Sequence, residues 1–460
     1  MFNVFCILFF SFSITLKLFN SFSVFLGEGG FMKKKNGLLL DINDKPTKLK
    51  WVVLSLQHVF AMFGATILVP ILVNQAAGEE VLSIPVTLFA SGLGTILYQL
   101  CTRGKSPVYL GSSFAFITPM ILAFAKGGKA GVFTGIMAVG LTYILVALLI
   151  KFVGTKWLER LLPPIIIGPM IMIIGLGLAP SAISSIGIQE GAEFVWQNVV
   201  VALITFLTTA FVATRAKGFF KVIPFLVGII TGYVSACILG LVDLSPIKDA
   251  AFFSIPNFQL PFLDYNLDFS SLIIIVPIVL VTISEHIGDH TVLGQIVGKD
   301  LIKDPGLDKT LLGDGVATFV AGFIGAPANT TYGENTSVIG MSKVASICVL
   351  RLAAIFAMIL AFLGKFTALV STIPNPVLGG VSLLLYGFIS VNGLKVLVEN
   401  KVDFSKTKNV IVSAAMLVIG LGGATISINN GDFSLSISGM ALAAVIGIIL
   451  NLILKEEEEI

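Results

Sequence analysis

The stretch VTISEHIGDH, residues 281–290, closes an apolar run that begins at Ser271 and puts Glu285, His286, Asp289 and His290 within two helical turns. Ionisable groups are costly in hydrocarbon, so such a cluster needs a partner, a cavity or a task. Read as a helix, it places Glu285 and Asp289, four residues apart, on one face, and His286 and His290 on the adjacent face. Two carboxylates one turn apart in a low dielectric resist ionising together, which suits the pair to taking up and releasing a proton. The remaining histidine, His58, stands beside Gln57 in LSLQHVFAMFG, another polar interruption of an apolar run. For His58 and His290 the competing reading is a core histidine whose hydrogen bonds are simply satisfied.

Two further stretches are built to break a helix inside an apolar segment. In SPVYLGSSFAF, Val108 to Leu110 read as extended, Gly111 interrupts, and Ser112 and Ser113 are good N-cap residues for a helix that follows. A helix that starts there leaves N–H groups near Phe114 without partners and presents its positive end, which suits a substrate oxygen. An ordinary entry loop at the membrane surface is the alternative. GAPANTTYGEN repeats the pattern: Pro327, Asn329, Thr330 and Thr331 form a breaker and cap cluster, and Gly333 allows close backbone approach beside Glu334. Glu334 is then either a substrate acceptor or only a cap.

A Glu, Asp and His cluster also suggests metal, but no cysteine or third spaced ligand accompanies it, so no metal is expected. Cys6, Cys101, Cys237 and Cys348 stand singly in apolar contexts and read as inert thiols. Hydrolase and nucleotide-binding signatures such as G-x-S-x-G, H-E-x-x-H and the P-loop are missing from the sequence, so an enzyme is not expected and no cofactor is called for. With carboxylate acceptors, backbone donors and no Lys or Arg at that depth, the favoured ligand is a small planar molecule carrying N–H and C=O groups rather than an anion. Phe114, Phe116, Tyr332 and Tyr386 are candidates to cover its ring.

The elements that must position these residues follow from composition. The chain has 460 residues, 56% of them hydrophobic and 12% charged, and its apolar runs repeatedly reach bilayer-crossing length without the alternation of barrel strands. It therefore reads as an all-α, multi-pass membrane protein. A net charge of +3 with dispersed basic residues excludes nucleic acid as a partner. Runs between breakers give fourteen spans: 51–74, 84–101, 109–125, 130–152, 163–186, 195–214 and 222–243, then 270–292, 308–326, 329–342, 345–368, 376–397, 407–425 and 436–454. When the spans alternate, most Lys and Arg residues fall on one side, which places both termini in the cytoplasm of a cell whose plasma membrane holds the chain. Seven is odd, so a second set of seven is inverted relative to the first. Gln57-His58 in span 1 answers Glu285-His286 in span 8, and the short, broken spans 3 and 10 answer each other; paired interruptions of this kind point to a transporter binding site. Residues 1–31 are expected to be an over-extended gene start, with translation beginning at Met32. They lack a basic flank, and GEGG before Met32 back-translates to a bacterial ribosome-binding sequence. A signal peptide or an extra anchor helix are the alternatives.

LQHVFAMFGATILVPIL, YLGSSFAFITPM, EHIGDH, NTTYGEN and PVLGGVSLLLYG, in this order, resemble the nucleobase-cation symporter family, also called nucleobase-ascorbate transporters, and most of all its bacterial uracil carriers. The likeness covers about residues 45–455 and not residues 1–31. The resemblance implies a core domain from 51–153 and 267–370, a gate domain from 154–266 and 371–455, and cytoplasmic ends at 32–50 and 456–460. It implies short antiparallel strands in spans 3 and 10, and proton-driven uracil import, often by a homodimer. By motif position, Glu285 and Glu334 would accept ring N–H groups, backbone at Phe114 and Gly333 would contact carbonyl oxygens, and Tyr386 would approach from the gate. Gln57, His58, His286, Ser113 and Asn335 would support them. Two departures stand out: relatives often read E-H-x-G-H where this chain has Asp289, and the N-x-G-x-x-x-x-T-R pattern appears here as Asn335 to Lys343 with Ser337 and Ser342 in place of Gly and Thr. Asp289 either carries the proton task or coupling differs. A xanthine or urate permease of the same family, a passive nucleobase channel and an anion exchanger are the alternative functions.

Overall fold

The computed structural model describes residues 37–217, 220, 223–430 and 433–454; the expected extension at 1–31 and the tail at 456–460 lie outside the described residues. The first half runs α1 (Lys48–Ala77), α2 (Ile84–Cys101), β1 (Leu110–Ser112), a single turn at Phe114–Phe116, and α3 (Ile117–Val153). It continues through α4 (Lys156–Leu161), α5 (Pro164–Gly177), α6 (Ala179–Ile186), α7 (Trp196–Arg215), α8 (Pro224–Ile238) and α9 (Ser245–Asp249). In the second half come α10 (Leu272–Ile275), α11 (Val279–Val297), α12 (Leu307–Phe323), β2 (Asn329–Thr331), α13 (Gly333–Ser342) and α14 (Ile347–Leu360). It closes with α15 (Gly364–Ser371), α16 (Asn375–Glu399), α17 (Thr407–Leu421), β3 (Thr425–Asn430), β4 (Phe433–Ser438) and α18 (Gly439–Ile453).

Prolines in the first turns of α5, α8 and α16 start those helices where an N–H would be orphaned anyway, and left-handed glycines close α1, α6 and α11 at Gly78, Gly187 and Gly298. Among the described residues, seven helical segments are long and apolar enough to cross a membrane, and α8, α14, α17 and α18 are shorter apolar helices. The order of elements repeats with inversion: strand and half-helix follow two helices in each half, which is the expected seven-plus-seven arrangement. Within α3, Gly127 and Gly128 leave helical geometry, so spans 3 and 4 are two helices that meet at this break, between 125 and 130 as the sequence divides them.

Two boundaries differ from the sequence reading. Span 11 divides into α14 and α15, and residues 425–430 and 433–438, assigned in part to spans 13 and 14, pair as antiparallel strands β3 and β4, Thr425 opposite Ser438 and Asn430 opposite Phe433. The alternation in TISINN and FSLSIS around Asn430-Gly431 is a period-two hairpin signal that the apolar-run criterion passes over.

Packing joins α12 to α3 and α2, α14 to α2 and α1, α5 to α16, α17 and α18, and α7 to α8 and α16. Small residues set these approaches, as expected where lipid gives helices no hydrophobic reason to associate. A Cβ on Gly140 of α3 would strike backbone atoms of Gly315 and Phe319 in α12, and one on Gly393 of α16 would sit 2.5 Å from the Gly168 carbonyl oxygen of α5. Gly140→Val is therefore expected to cost about 1–3 kcal/mol, read as a drop in thermal midpoint in detergent. Leu145→Val, on the exposed face of the same helix, should stay within about 0.5 kcal/mol.

Candidate functional site

The two interrupted spans meet in the interior. β1 and β2 pair antiparallel, with Leu110 opposite Thr331, Gly111 opposite Thr330 and Ser112 opposite Asn329. The ladder is extended by Tyr332 N–H to the Tyr109 carbonyl (3.0 Å) and Ser113 N–H to the Ala328 carbonyl (2.9 Å). On their outer edges the strands are held by side chains of α2 and α12. Ser91 Oγ donates to the Leu110 carbonyl (2.7 Å), Leu110 N–H donates to Thr95 Oγ1 (2.9 Å), and Thr318 Oγ1 donates to the Asn329 carbonyl (3.1 Å). Asn329 Nδ2 donates to the Ala90 carbonyl at 3.2 Å. Extended backbone in a dry interior is tolerable only when paired in this way.

Gly111 is required because the Tyr332 ring lies across it, so that a Cβ there would overlap the ring. Tyr332 donates its hydroxyl to the Ser112 carbonyl (3.0 Å) and lies 3.2 Å from Thr66 Oγ1. Tyr332, expected as a ring cover, is thus a buried lock on β1. Phe114 and Tyr386 do come together, edge to face with centroids 6.3 Å apart, so the ring on α16 closes on the half-helix start in the first half. Phe116 is buried beside Phe114.

Neither half-helix start, at Phe114 or at Gly333, carries a side-chain cap, and the Ser113 hydroxyl makes no hydrogen bond. Two positive helix ends therefore face the same interior region without capping side chains.

The two faces of α11 are put to different use. Glu285 and Asp289 are half-buried, as are Gly333 and Glu334, whereas Ser284, His286 and His290 are wholly enclosed. Asp289 accepts a hydrogen bond from Thr331 Oγ1 (2.7 Å), and a Cβ on Gly333 would meet only Asp289 Oδ1, at 3.9 Å. A Cβ on Gly288, which lies between the two carboxylates in sequence, would find open space. α11 packs against α13, and among the described residues no Lys or Arg pairs with Glu285, Asp289 or Glu334. The three sequence-predicted carboxylates thus stand half-buried on two helices of the second half that pack against each other.

On the enclosed face, His286 Nδ1 lies 2.7 Å from Asp314 Oδ2 and its Nε2 lies 2.9 Å from Thr310 Oγ1, both partners on α12 and all three residues without solvent exposure. His290 Nδ1 donates to the His286 carbonyl (2.8 Å), which leaves its Nε2 for the Tyr98 hydroxyl at 2.6 Å. The two imidazoles stack with centroids 4.0 Å apart. Asn335 Nδ2 donates to His58 Nδ1 (3.1 Å) and to the His58 carbonyl (3.2 Å), tying α13 to α1, and Gln57 is buried next to it in sequence. Asp314 and Tyr98 are absent from the sequence-predicted set. Asp314 interrupts the apolar run of span 9 in LLGDGVATF, the same signal that exposed Glu285, and was legible there.

Comparison with known proteins gives a consistent picture. A sequence model described as "Permease family" matches residues 49–428. The uracil permease of Bacillus caldolyticus is 46% identical over 421 residues, covering 91% of this chain and 95% of its own length. That of Bacillus subtilis (strain 168) is also 46% identical, covering 93% of this chain and 98% of its own length, and that of Escherichia coli (strain K12) is 40% identical, covering 90% and 94%. Among solved structures, the transmembrane domain of the cyanobacterial bicarbonate transporter BicA aligns with a TM-score of 0.60 at 16% identity, covering 89% of this chain and 99% of its own. Inward-facing murine Slc26a9, an anion transporter, aligns with a TM-score of 0.62 at 12% identity, covering 89% and 69%. At such identities these two define the fold alone.

Asp314→Ala would strand His286 without its acceptor in a dry interior. Removing one member of a buried pair is expected to cost on the order of 3 kcal/mol, whereas Asp314→Asn keeps an acceptor and should lose less. Thermal unfolding of the two purified variants side by side decides the order.

Proposed function

This chain belongs to the permease family, and from that premise we propose that it imports uracil by proton symport, alternating access around a site halfway through the membrane. What supports the reading is that α11 and α13, which carry Glu285 and Glu334, pack against each other beside the helix start that the first half supplies at Phe114, that neither half-helix start has a side-chain cap, and that among the described residues no Lys or Arg pairs with these carboxylates. Uracil presents two ring N–H donors and two carbonyl acceptors in one plane. Carboxylates match the former, and backbone N–H groups at Phe114 and Gly333 match the latter. Phe114 and Tyr386 then bound the ring.

Proton coupling falls to Glu285 and Asp289. Burying a substrate beside three carboxylates is unfavourable while all are ionised, so uptake of a proton from outside accompanies binding and its release inside resets the site. Asp289 takes part through its Thr331 hydrogen bond, which links α11 to β2. The moving parts are the core (51–153 with 267–370) and the gate (154–266 with 371–455). Their internal helix contacts, α12 with α2 and α3 on one side and α5 with α16 on the other, support rocking of one against the other. Both termini face the cytoplasm in this reading, and the chain works in the bacterial plasma membrane, alone or as a homodimer.

The decisive measurement is uptake of radiolabelled uracil into proteoliposomes with and without an inward proton gradient. Wild type should accumulate uracil only with the gradient, and equilibration without accumulation would mean a passive channel. Glu285→Gln and Glu334→Ala should each lose a charge-assisted hydrogen bond, about 1.5–3 kcal/mol or roughly 10–150-fold in affinity, while inserting normally. Asp289→Asn should keep uracil counterflow and lose its response to the gradient. Stronger competition by xanthine than by unlabelled uracil would replace the pyrimidine with a purine.

A further inference from the structure

The segment before α1 folds back onto the protein as a short parallel ladder. Leu39 and Leu40 N–H groups both donate to the Lys343 carbonyl (2.7 and 3.2 Å), Ala345 N–H donates to the Leu40 carbonyl (2.9 Å), and Ile347 N–H to the Ile42 carbonyl (3.0 Å). Ser346 Oγ donates to the Asp44 carbonyl at 2.5 Å. Leu38, Leu40 and Ile42 are buried, and Leu40 packs with Val344 and Val349. Trp51 Nε1 to the Cys348 carbonyl (2.8 Å) and Ser55 Oγ to the Val349 carbonyl (2.9 Å) continue the seam along α1. The Asp41 carboxylate lies 3.5 Å from Lys299 Nζ, just past the end of α11.

Lys343 is the left-handed C-cap of α13, and Lys299 follows the last turn of α11. These are the far ends of the two helices that carry Glu334 and Glu285. A helix of ten residues with no side-chain cap does not hold its own place. At its start α13 is tied by Asn335 to His58, and at its end by the ladder. We propose that residues 38–44 are a positioning strap: by clasping the far end of α13 onto the segment that leads into α1, they fix where α13 sits against α11 and so set the spacing between Glu285 and Glu334, and with it the fit of the substrate. The assignment of the substrate rests on the uracil reading above; the mechanical claim does not. The backbone bonds carry the strap, since a half-exposed Asp41–Lys299 pair adds little.

Leu39→Pro removes one N–H from the Lys343 carbonyl and leaves Glu285, Asp289 and Glu334 untouched. Spin labels at Gln295 and Met341, near the ends of α11 and α13, report the spacing without any ligand. The expected result is a broadened label-to-label distance distribution in Leu39→Pro, with KM for uracil raised about tenfold and kcat and membrane insertion within about twofold of wild type. An unchanged distribution overturns the strap, and a broadened one with unchanged KM overturns its link to the site. A wild-type protein that takes up no uracil defeats the transport reading instead, and the distance measurement still judges the strap. In a background with the other cysteines changed to serine, a Leu40→Cys/Val344→Cys disulfide should leave uptake intact because the strap stays docked. Loss of uptake on oxidation, restored by reductant, would make it a lid that must open and would refute fixed positioning. Leu40→Ile serves as the conservative control and should behave as wild type.

Discussion

Everything in this protein rests on satisfying backbone N–H and C=O groups where water is absent. Two of its spans abandon the helix halfway, which exposes peptide groups that hydrocarbon cannot solvate. The remedy is intramolecular and spans the whole sequence: β1 pairs with β2, one strand from each half. Hydroxyls of α2 and α12, and the Asn329 amide of β2 reaching the Ala90 carbonyl of α2, close the outer edges. The half-helices that follow can then begin inside the protein, and their uncapped starts are the feature a substrate can use. The uncapped helix starts are thus a by-product of how the two halves solve one solvation problem together.

The same constraint sorts the ionisable groups of α11. Residues facing α12 and α2 have no access to water, and each finds a partner: His286 with Asp314 and Thr310, His290 with Tyr98. On the adjacent face of the helix, Glu285 and Asp289 keep partial access, next to the α13 helix that carries Glu334. One helix thus carries a paired, enclosed face and an underpaired, more accessible one. The enclosed pairs fix the rotation of α11, and that rotation aims the carboxylates.

Close helix approach completes the scheme. Glycines at the α3–α12 and α5–α16 crossings bring backbones into contact, so the halves interlock by shape where lipid offers no hydrophobic drive. Tyr332 shows how this economy reassigns residues. Its ring fills the space above Gly111 and its hydroxyl holds the Ser112 carbonyl, so an aromatic that reads as a ligand cover from sequence is spent on locking a strand.

The sequence by itself determined the membrane class, the helical runs, the inverted halves and the positions of the two breaks, because apolar length, Pro and Gly placement and charge alternation are local properties. It also marked Glu285, Asp289 and Glu334, since a carboxylate in an apolar run stands out wherever it folds; Asp314 carried the same mark. The tertiary structure decided which faces those groups present and whom they meet. That His286 pairs with a residue 28 positions away, that Asn335 reaches His58, and that residues 38–44 clasp the loop after α13 are contacts between segments far apart in the chain. Periodicity and propensity speak only of neighbours along a helix or strand, so such contacts are fixed by packing and hydrogen-bond satisfaction once the halves assemble.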